Sequence, residues 1–205
     1  MGFHARLGLD LPFVSEHDEA ATYWAGRSLG AFSHQREWSI RLIENVAALH
    51  PATVFEFGCN VGRHLRGLAA RLPGVNLAGM DINLLAVHAA RAAGLQVLLG
   101  DEYSLAYVPE VDVALTVSVL DHLDSKGLAV ALPELDRIGR TLVLIEPRLG
   151  REGRIERLPD GSRANPFLYS WDYEAHLPRR SWVTEAFPIA PAAAGPYYRV
   201  HIGTR

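Results

Sequence analysis

Five short stretches of this chain are apolar at nearly every position, at 53–57, 75–80, 95–99, 111–117 and 141–145. A strand covered on one face alternates apolar and polar residues, whereas a parallel strand covered on both faces is apolar throughout. Between these runs the apolar period changes to that of a helix. Trp38, Leu42, Val46 and Leu49 recur at helical spacing within 33–49, with Ser33 as a cap and His50-Pro51 as a stop. A second helix carries Leu65, Leu68 and Leu72 and ends at Pro73-Gly74; a third spans 84–93 before Gly94; a fourth lies near 128–138 before Gly139. The alternation predicts an α/β, doubly wound fold: a mostly parallel, seven-stranded sheet with helices on both faces. Two further runs, 182–187 and 197–202, read as strands that supply an antiparallel C-terminal edge.

The period disappears after Pro147, where 148–165 is rich in Gly, Arg and Pro. Such a stretch reads as a loop or lid. The expected organisation is therefore one domain over 1–205: an N-terminal helical cap (1–50), a core (51–147), a lid (148–180) and a strand pair (181–205). Within the cap, 18–24 is a helix candidate with Ser15 before it. A chain of 205 residues, 49% of them hydrophobic, is long enough for one ordinary core.

Composition removes several function classes. The net charge of −3 is spread along the chain, which gives no electrostatic reason to expect nucleic acid as a partner. Cys59 is the single cysteine, so no internal disulfide can form, and a reducing, cytoplasmic setting is expected. No apolar run approaches the roughly 20 residues that cross a bilayer, and no membrane partner is expected. Lys126, in a polar segment, is the only lysine, which leaves no candidate for a Schiff base or a phosphate-loop lysine. His-x3-His and Cys-x2-Cys spacings are absent, and no metal is expected. Oligomeric state is open.

Glu56-Phe-Gly-Cys-Asn-Val-Gly62 follows the first strand. Gly58 and Gly62 permit a tight turn and close approach to a ligand, and the next helix offers free N–H groups. A nucleotide-triphosphate loop requires Gly-x4-Gly-Lys, which this turn lacks. A dinucleotide fingerprint requires glycine where Asn60 and Arg63 stand. The turn resembles the first motif of class I S-adenosylmethionine (AdoMet)-dependent methyltransferases, acidic-x-Gly-x-Gly-x-Gly, with Asn60 replacing the middle glycine; Asn tolerates a left-handed backbone.

Three later segments extend the resemblance over 55–147. Asp81 ends the second strand, Asp101-Glu102 follows the third, and Ser118-Val-Leu-Asp-His-Leu123 follows the fourth in the manner of the Leu-Glu-His-Leu segments of small-molecule methyltransferases. All lie at carboxyl strand ends, where open α/β sheets bind ligands. The resemblance implies AdoMet as cofactor, with Glu56 near the amino end of its methionine moiety, Asp81 and Ile82 at the ribose, and Asp101 and Glu102 at adenine. Gly58, Asn60, Gly62 and Ser118 would complete the cradle. Tyr23 and Arg27 belong to a Tyr-Trp-x-x-Arg stretch like those that close over the cofactor in such enzymes.

The implied reaction is methyl transfer to an oxygen or nitrogen of a small polar molecule, a sugar or secondary metabolite. His122 is either its general base or a packed loop histidine. Tyr169, Trp171, Tyr173 and His176 either line an acceptor pocket or staple the lid to the sheet. Cys59 reads as a small packing residue. Two alternatives stand beside this reading: an NAD-dependent oxidoreductase, and a non-catalytic AdoMet- or nucleoside-binding module.

Overall fold

The computed structural model describes residues 23–24, 36–149, 151–158, 161–186 and 198–205. A helix α1 (Arg36–Ala48) precedes β1 (Thr53–Phe57), α2 (Arg63–Arg71), β2 (Asn76–Asp81), α3 (Leu84–Ala92), β3 (Val97–Leu99) and β4 (Val111–Val117). There follow α4 (Ser125–Ile138), β5 (Gly139–Pro147), a small hairpin β6 (Gly153–Arg154) and β7 (Tyr169–Ser170), one turn of helix α5 (Tyr173–His176), and the terminal strands β8 (Ser181–Ala186) and β9 (Tyr198–Thr204). The main sheet has the order β3-β2-β1-β4-β5-β9-β8. β1 to β5 are parallel, and β9 runs antiparallel to both β5 and β8. The C-terminal pair closes the sheet as expected, with the antiparallel strand inside and β8 outermost. Ser33, Ser15, Arg27, Phe187 and Tyr197 lie outside the described residues, as do most of the 18–24 helix candidate and the side chain of Trp38.

The unbroken apolar runs have a simple cause, because alternate residues feed opposite faces. Val54, Val113, Leu115, Val143 and Ile145 pack with Leu42 and Val46 of α1 and Leu68 of α2. Phe55, Phe57, Ala114, Leu142 and Leu144 pack with Leu128, Ala131, Leu132, Leu135 and Ile138 of α4. A third cluster joins Leu65 of α2, Val87 and Ala90 of α3, and Val97.

Ends of elements follow local chemistry. α1 stops at Ala48, and His50, with φ 49, turns the chain before Pro51, which disfavours helical conformation at the preceding residue. Asn83 and Asp124 cap α3 and α4 through side-chain oxygens that accept backbone N–H bonds. Gly139 ends α4 and begins β5 at once. α4's last carbonyls are satisfied from far away: buried Arg180 donates to the carbonyls of Asp136, Gly139, Arg140 and Gly203 and to the Asp136 carboxylate at 2.6 Å. The stretch expected as an unstructured lid holds the β6–β7 hairpin, a bridge between Arg157 and Arg163, and α5. Among the described residues no helix is long and apolar enough to cross a membrane.

Candidate active site

Strand order reverses between β1 and β4, and the carboxyl ends of the parallel strands meet there. β1 passes directly into the turn 58–62, where Gly58 (φ 73), Asn60 (φ 49) and Gly62 (φ 73) are all left-handed. Asn60 thus adopts the conformation that the missing glycine requires, and its Oδ1 accepts the Val61 N–H at 2.7 Å. Gly58 cannot be replaced sterically, since a Cβ built there lies 2.2 Å from Val119 Cγ2. The Gly58 and Cys59 N–H groups donate to the Met80 carbonyl at 2.8 and 3.0 Å, fastening the turn to the end of β2.

Glu56 pairs with Gly79 in the sheet register, so Glu56, Gly79 and Asp81 project from one face. Both carboxylates are buried. Asp81 serves the fold as well as any ligand, for it accepts the Asn60 N–H at 2.6 Å and the Asn83 N–H at 2.8 Å, one on each oxygen. A carboxylate has about four acceptor sites, so each oxygen keeps a second. Burial raises the Asp81 pKa above the ordinary carboxylate value, the two backbone N–H bonds oppose that rise, and the charge of Glu56 adds to it. Glu56 Oε1 is 2.6 Å from His64 Nδ1 on α2, while its Oε2 is buried with no hydrogen-bond partner among the described residues. Cys59 lies over Gly79. Burial, then the charges of Glu56 and Asp81, push its thiol pKa up, which makes it a packing residue and a poor nucleophile.

Asp101 opens a 3-10 turn (Glu102–Tyr107) through a capping box with Ser104. Its Oδ1 accepts from the Tyr103 and Ser104 N–H groups and the Ser104 hydroxyl. Its Oδ2 is buried without a hydrogen-bond partner among the described residues. Glu102 turns the other way, with Oε1 2.9 Å from where a Cβ would stand at Gly127 of α4. Ile82 is half-buried beside Asp81.

The segment after β4 is the most constrained part of the site. Ser118 has φ 52, a left-handed conformation that costs a non-glycine residue energy. Leu120–His122 then forms a 3-10 turn capped from another strand. Glu146 of β5, fully buried, accepts the Thr116 hydroxyl at 2.7 Å and the Val119 and Asp121 N–H groups at 3.1 to 3.3 Å. Asp121 is buried against it. Burial raises Asp121 to about 7 despite hydrogen bonds from Glu146 and Ser118, and burial plus the charge of Asp121 raises Glu146 to about 8. Sequence reading passed over both residues, although a lone acidic residue directly after the apolar run 141–145 was a visible signal.

His122 stands at the rim. Its Nδ1 is 2.9 Å from the Phe167 carbonyl, which can only accept, so that nitrogen carries the hydrogen. Its ring packs on Trp24 at 4.6 Å between centroids, and Tyr23 packs on Phe167 at 4.9 Å. Asn83 Nδ2 donates to the Trp24 carbonyl at 2.8 Å, which ties Tyr23-Trp24 to the segment following Asp81.

The aromatic set from the lid separates in space. Tyr173 is fully buried, edge-on to His201, and belongs to the core. Trp171 is buried too, its Nε1 donating to the Leu123 carbonyl at 3.2 Å, with Tyr169 stacked on it at 5.8 Å. His176 reaches outward to Glu152 at 2.9 Å. Trp171 and Tyr173 therefore fasten 169–176 to the core, while Tyr169 remains half-buried.

No protein-family model matches this chain, and no curated protein matches it significantly. Solved structures do. A SAM-dependent methyltransferase from Archaeoglobus fulgidus has a TM-score of 0.63 and 16% identity, over 83% of this chain and 94% of that one. A TehB-like SAM-dependent methyltransferase from Corynebacterium glutamicum gives 0.56 and 18%, over 84% and 98%. The mitomycin 7-O-methyltransferase MmcR gives 0.57 and 18%, over 82% and 54%. At such identities the likeness shows the fold, which is that of class I SAM-dependent methyltransferases.

Proposed function

We propose that this chain transfers the methyl group of S-adenosylmethionine to an oxygen or nitrogen of a small polar molecule, a sugar or secondary metabolite. The supporting observation is the set of carboxylates at neighbouring strand ends: buried Glu56 Oε2 and Asp101 Oδ2 have no hydrogen-bond partner among the described residues, and Asp81 between them keeps spare acceptor capacity. Buried polar atoms are normally satisfied, and the cost of leaving them bare falls when a ligand supplies the donors. A cofactor with an amine at each end and hydroxyls between fits that spacing in kind. Carboxylates also favour a sulfonium cation and repel the pyrophosphate of a dinucleotide, which weighs against an NAD-dependent reading.

In this reading Glu56 receives the methionine amino group, Asp81 with neighbouring Ile82 the ribose hydroxyls, and Asp101 the adenine amine. The left-handed turn from Gly58 to Gly62 holds backbone N–H groups close by and Ser118 borders the pocket, whereas Glu102 faces Gly127 of α4 and takes no part at adenine. Tyr23 and Trp24 close the mouth, with Arg27 assigned to the methionine carboxylate. When bound, the cofactor supplies an activated methyl group, so the protein's work is alignment and exclusion of water. His122 takes the proton of a hydroxyl acceptor at Nε2, because its Nδ1–H is committed to Phe167. Tyr169 is the lid aromatic offered to the acceptor.

Isothermal titration with AdoMet, S-adenosylhomocysteine and NAD tests the reading, followed by transfer of a labelled methyl group to a panel of sugars and phenols. Micromolar binding of the first two is expected. NAD binding without AdoMet binding defeats the proposal, and AdoMet binding with no transfer to any acceptor favours a non-catalytic module.

A further inference from the structure

Asp121, in the turn after β4, and Glu146, near the carboxyl end of β5, are two fully buried carboxyl groups brought together there, with Glu146 Oε2 accepting the Asp121 N–H at 3.3 Å. Adjacent like charges in a low-dielectric setting cannot both persist, so such a pair keeps one proton between its members. Donors surround both carboxyl groups. Glu146 accepts from the Thr116 hydroxyl and from two backbone N–H groups, an environment for the anion. Asp121 Oδ2 lies 3.3 Å from the Ser118 hydroxyl, and its buried Oδ1 has no hydrogen-bond partner among the described residues. The pair thus shares one proton between its two carboxyl groups.

The location matters more than the pair itself. Glu146 caps the 3-10 turn at Leu120–His122 through the Val119 and Asp121 N–H groups, and the segment it caps begins with left-handed Ser118. That same segment presses Val119 onto Gly58 of the turn after β1 and aims His122 Nδ1 at the Phe167 carbonyl. From these contacts we infer that Asp121 and Glu146 form a one-proton positioning pair, whose shared hydrogen holds the 118–122 segment against the cofactor turn and keeps His122 at the mouth of the site. This inference rests on the methyl-transfer reading only for what the site binds.

Loss of the last proton leaves two buried anions in contact, and separating them moves Val119 off Gly58 and releases the Asp121 and Val119 N–H groups. Other titratable groups face the same segment. His122 Nε2 is 3.7 Å from Asp121 Oδ1, Tyr169 lies on β7 beside the 3-10 turn, and β5 continues to Arg148, which is ion-paired with Asp172. Glu56, under the cofactor turn, is committed to His64.

The test uses the whole chain and two readouts, AdoMet affinity by titration calorimetry and Tm, each from pH 6 to 9.5. In the wild type, affinity is expected to weaken by up to about tenfold per pH unit above 8, and Tm to fall by about 3 °C or more per unit between pH 6 and 8. Asp121→Asn supplies a permanent N–H to Glu146, so both profiles should flatten over those ranges relative to wild type. Glu146→Gln, which leaves a single charge in the pair, should flatten them as well and covers the case in which the first variant folds poorly. The ligand's own titration is common to all three proteins and cancels in the comparison. Parallel slopes over these ranges in wild type and both variants overturn the inference, as does a uniform loss of stability with unchanged slope. If AdoMet binds at no pH, the proposed function fails, while the Tm profiles still decide the role of the pair.

Discussion

At the residue scale, carboxylates in this site have two kinds of work, and substitutions separate them. Asp81 ties Asn60 to Asn83 through its two oxygens, so Asp81→Ala leaves two N–H groups without their acceptor. We predict that AdoMet affinity drops by about 1.5–3 kcal/mol and that stability drops by about 1–3 kcal/mol, because charge-assisted bonds and buried donors are both lost. Calorimetry and urea unfolding read the two effects independently; unchanged affinity removes Asp81 from the ligand site. Asp101 differs, since its Oδ1 alone builds the capping box. Asp101→Asn keeps that oxygen but presents an amide to any ligand amine, so affinity should fall while Tm moves little. For His122→Ala, turnover on a hydroxyl acceptor should fall with cofactor affinity nearly unchanged, and full activity would falsify its role as base.

At the element scale, the site is a set of turns held by packing against one another. Gly58 is the contact between the turn after β1 and the segment after β4. A methyl group there meets Val119 and also faces a left-handed backbone, so Gly58→Ala should cost about 1–3 kcal/mol and abolish AdoMet binding; a variant that binds normally would show the turn to be plastic. Arg180 plays a comparable part away from the site. Its guanidinium, 1% exposed, gathers carbonyls from the end of α4, the start of β5 and β9. Arg180→Met removes the donor to the Gly139, Arg140 and Gly203 carbonyls and to the Asp136 carboxylate, leaving the Asp136 carbonyl to Arg205. A loss of about 3–5 kcal/mol in equilibrium unfolding is expected, in line with breaking one side of a buried charged network.

At the scale of the whole molecule, buried ionisable groups set the pH range of stability. His201 is fully buried between Tyr173 and Trp182, and burial holds its pKa below the ordinary histidine value despite Glu174 at 3.1 Å. The unfolded chain then binds more protons than the folded one below about pH 6.5, so stability is complete above that value and declines as pH falls. Asp121 and Glu146 act in the opposite sense, since their folded pKa values are raised to about 7 and about 8. Their contribution is fully present below about pH 4 and is lost progressively as pH rises from there through the folded values. Two carboxyl groups outweigh one histidine, so stability should decline as pH rises from about 5 to 8, more steeply in His201→Gln; a Tm profile that is flat over that range would contradict the carboxyl assignment.

The sequence by itself determined the layered architecture and which glycines and acidic residues stand at the carboxyl ends of the strands. Runs that are apolar at every position require cover on two faces, and glycines with acidic residues at the ends of such runs mark where chain and ligand approach. Thus the extent of β4, the left-handed Asn60, the core residues Leu65 and Leu68, and the convergence of Glu56 with Asp81 were all legible from one dimension. Which groups meet across distant segments was decided only by the tertiary structure. Asp121 and Glu146 lie far apart in the chain and are joined by strand pairing, Glu56 finds His64 through the return of a helix, and Tyr173 turns inward to His201. The physical reason is that periodicity records which face a residue takes, whereas the protonation of a buried carboxyl depends on which other charge shares its small, dry volume.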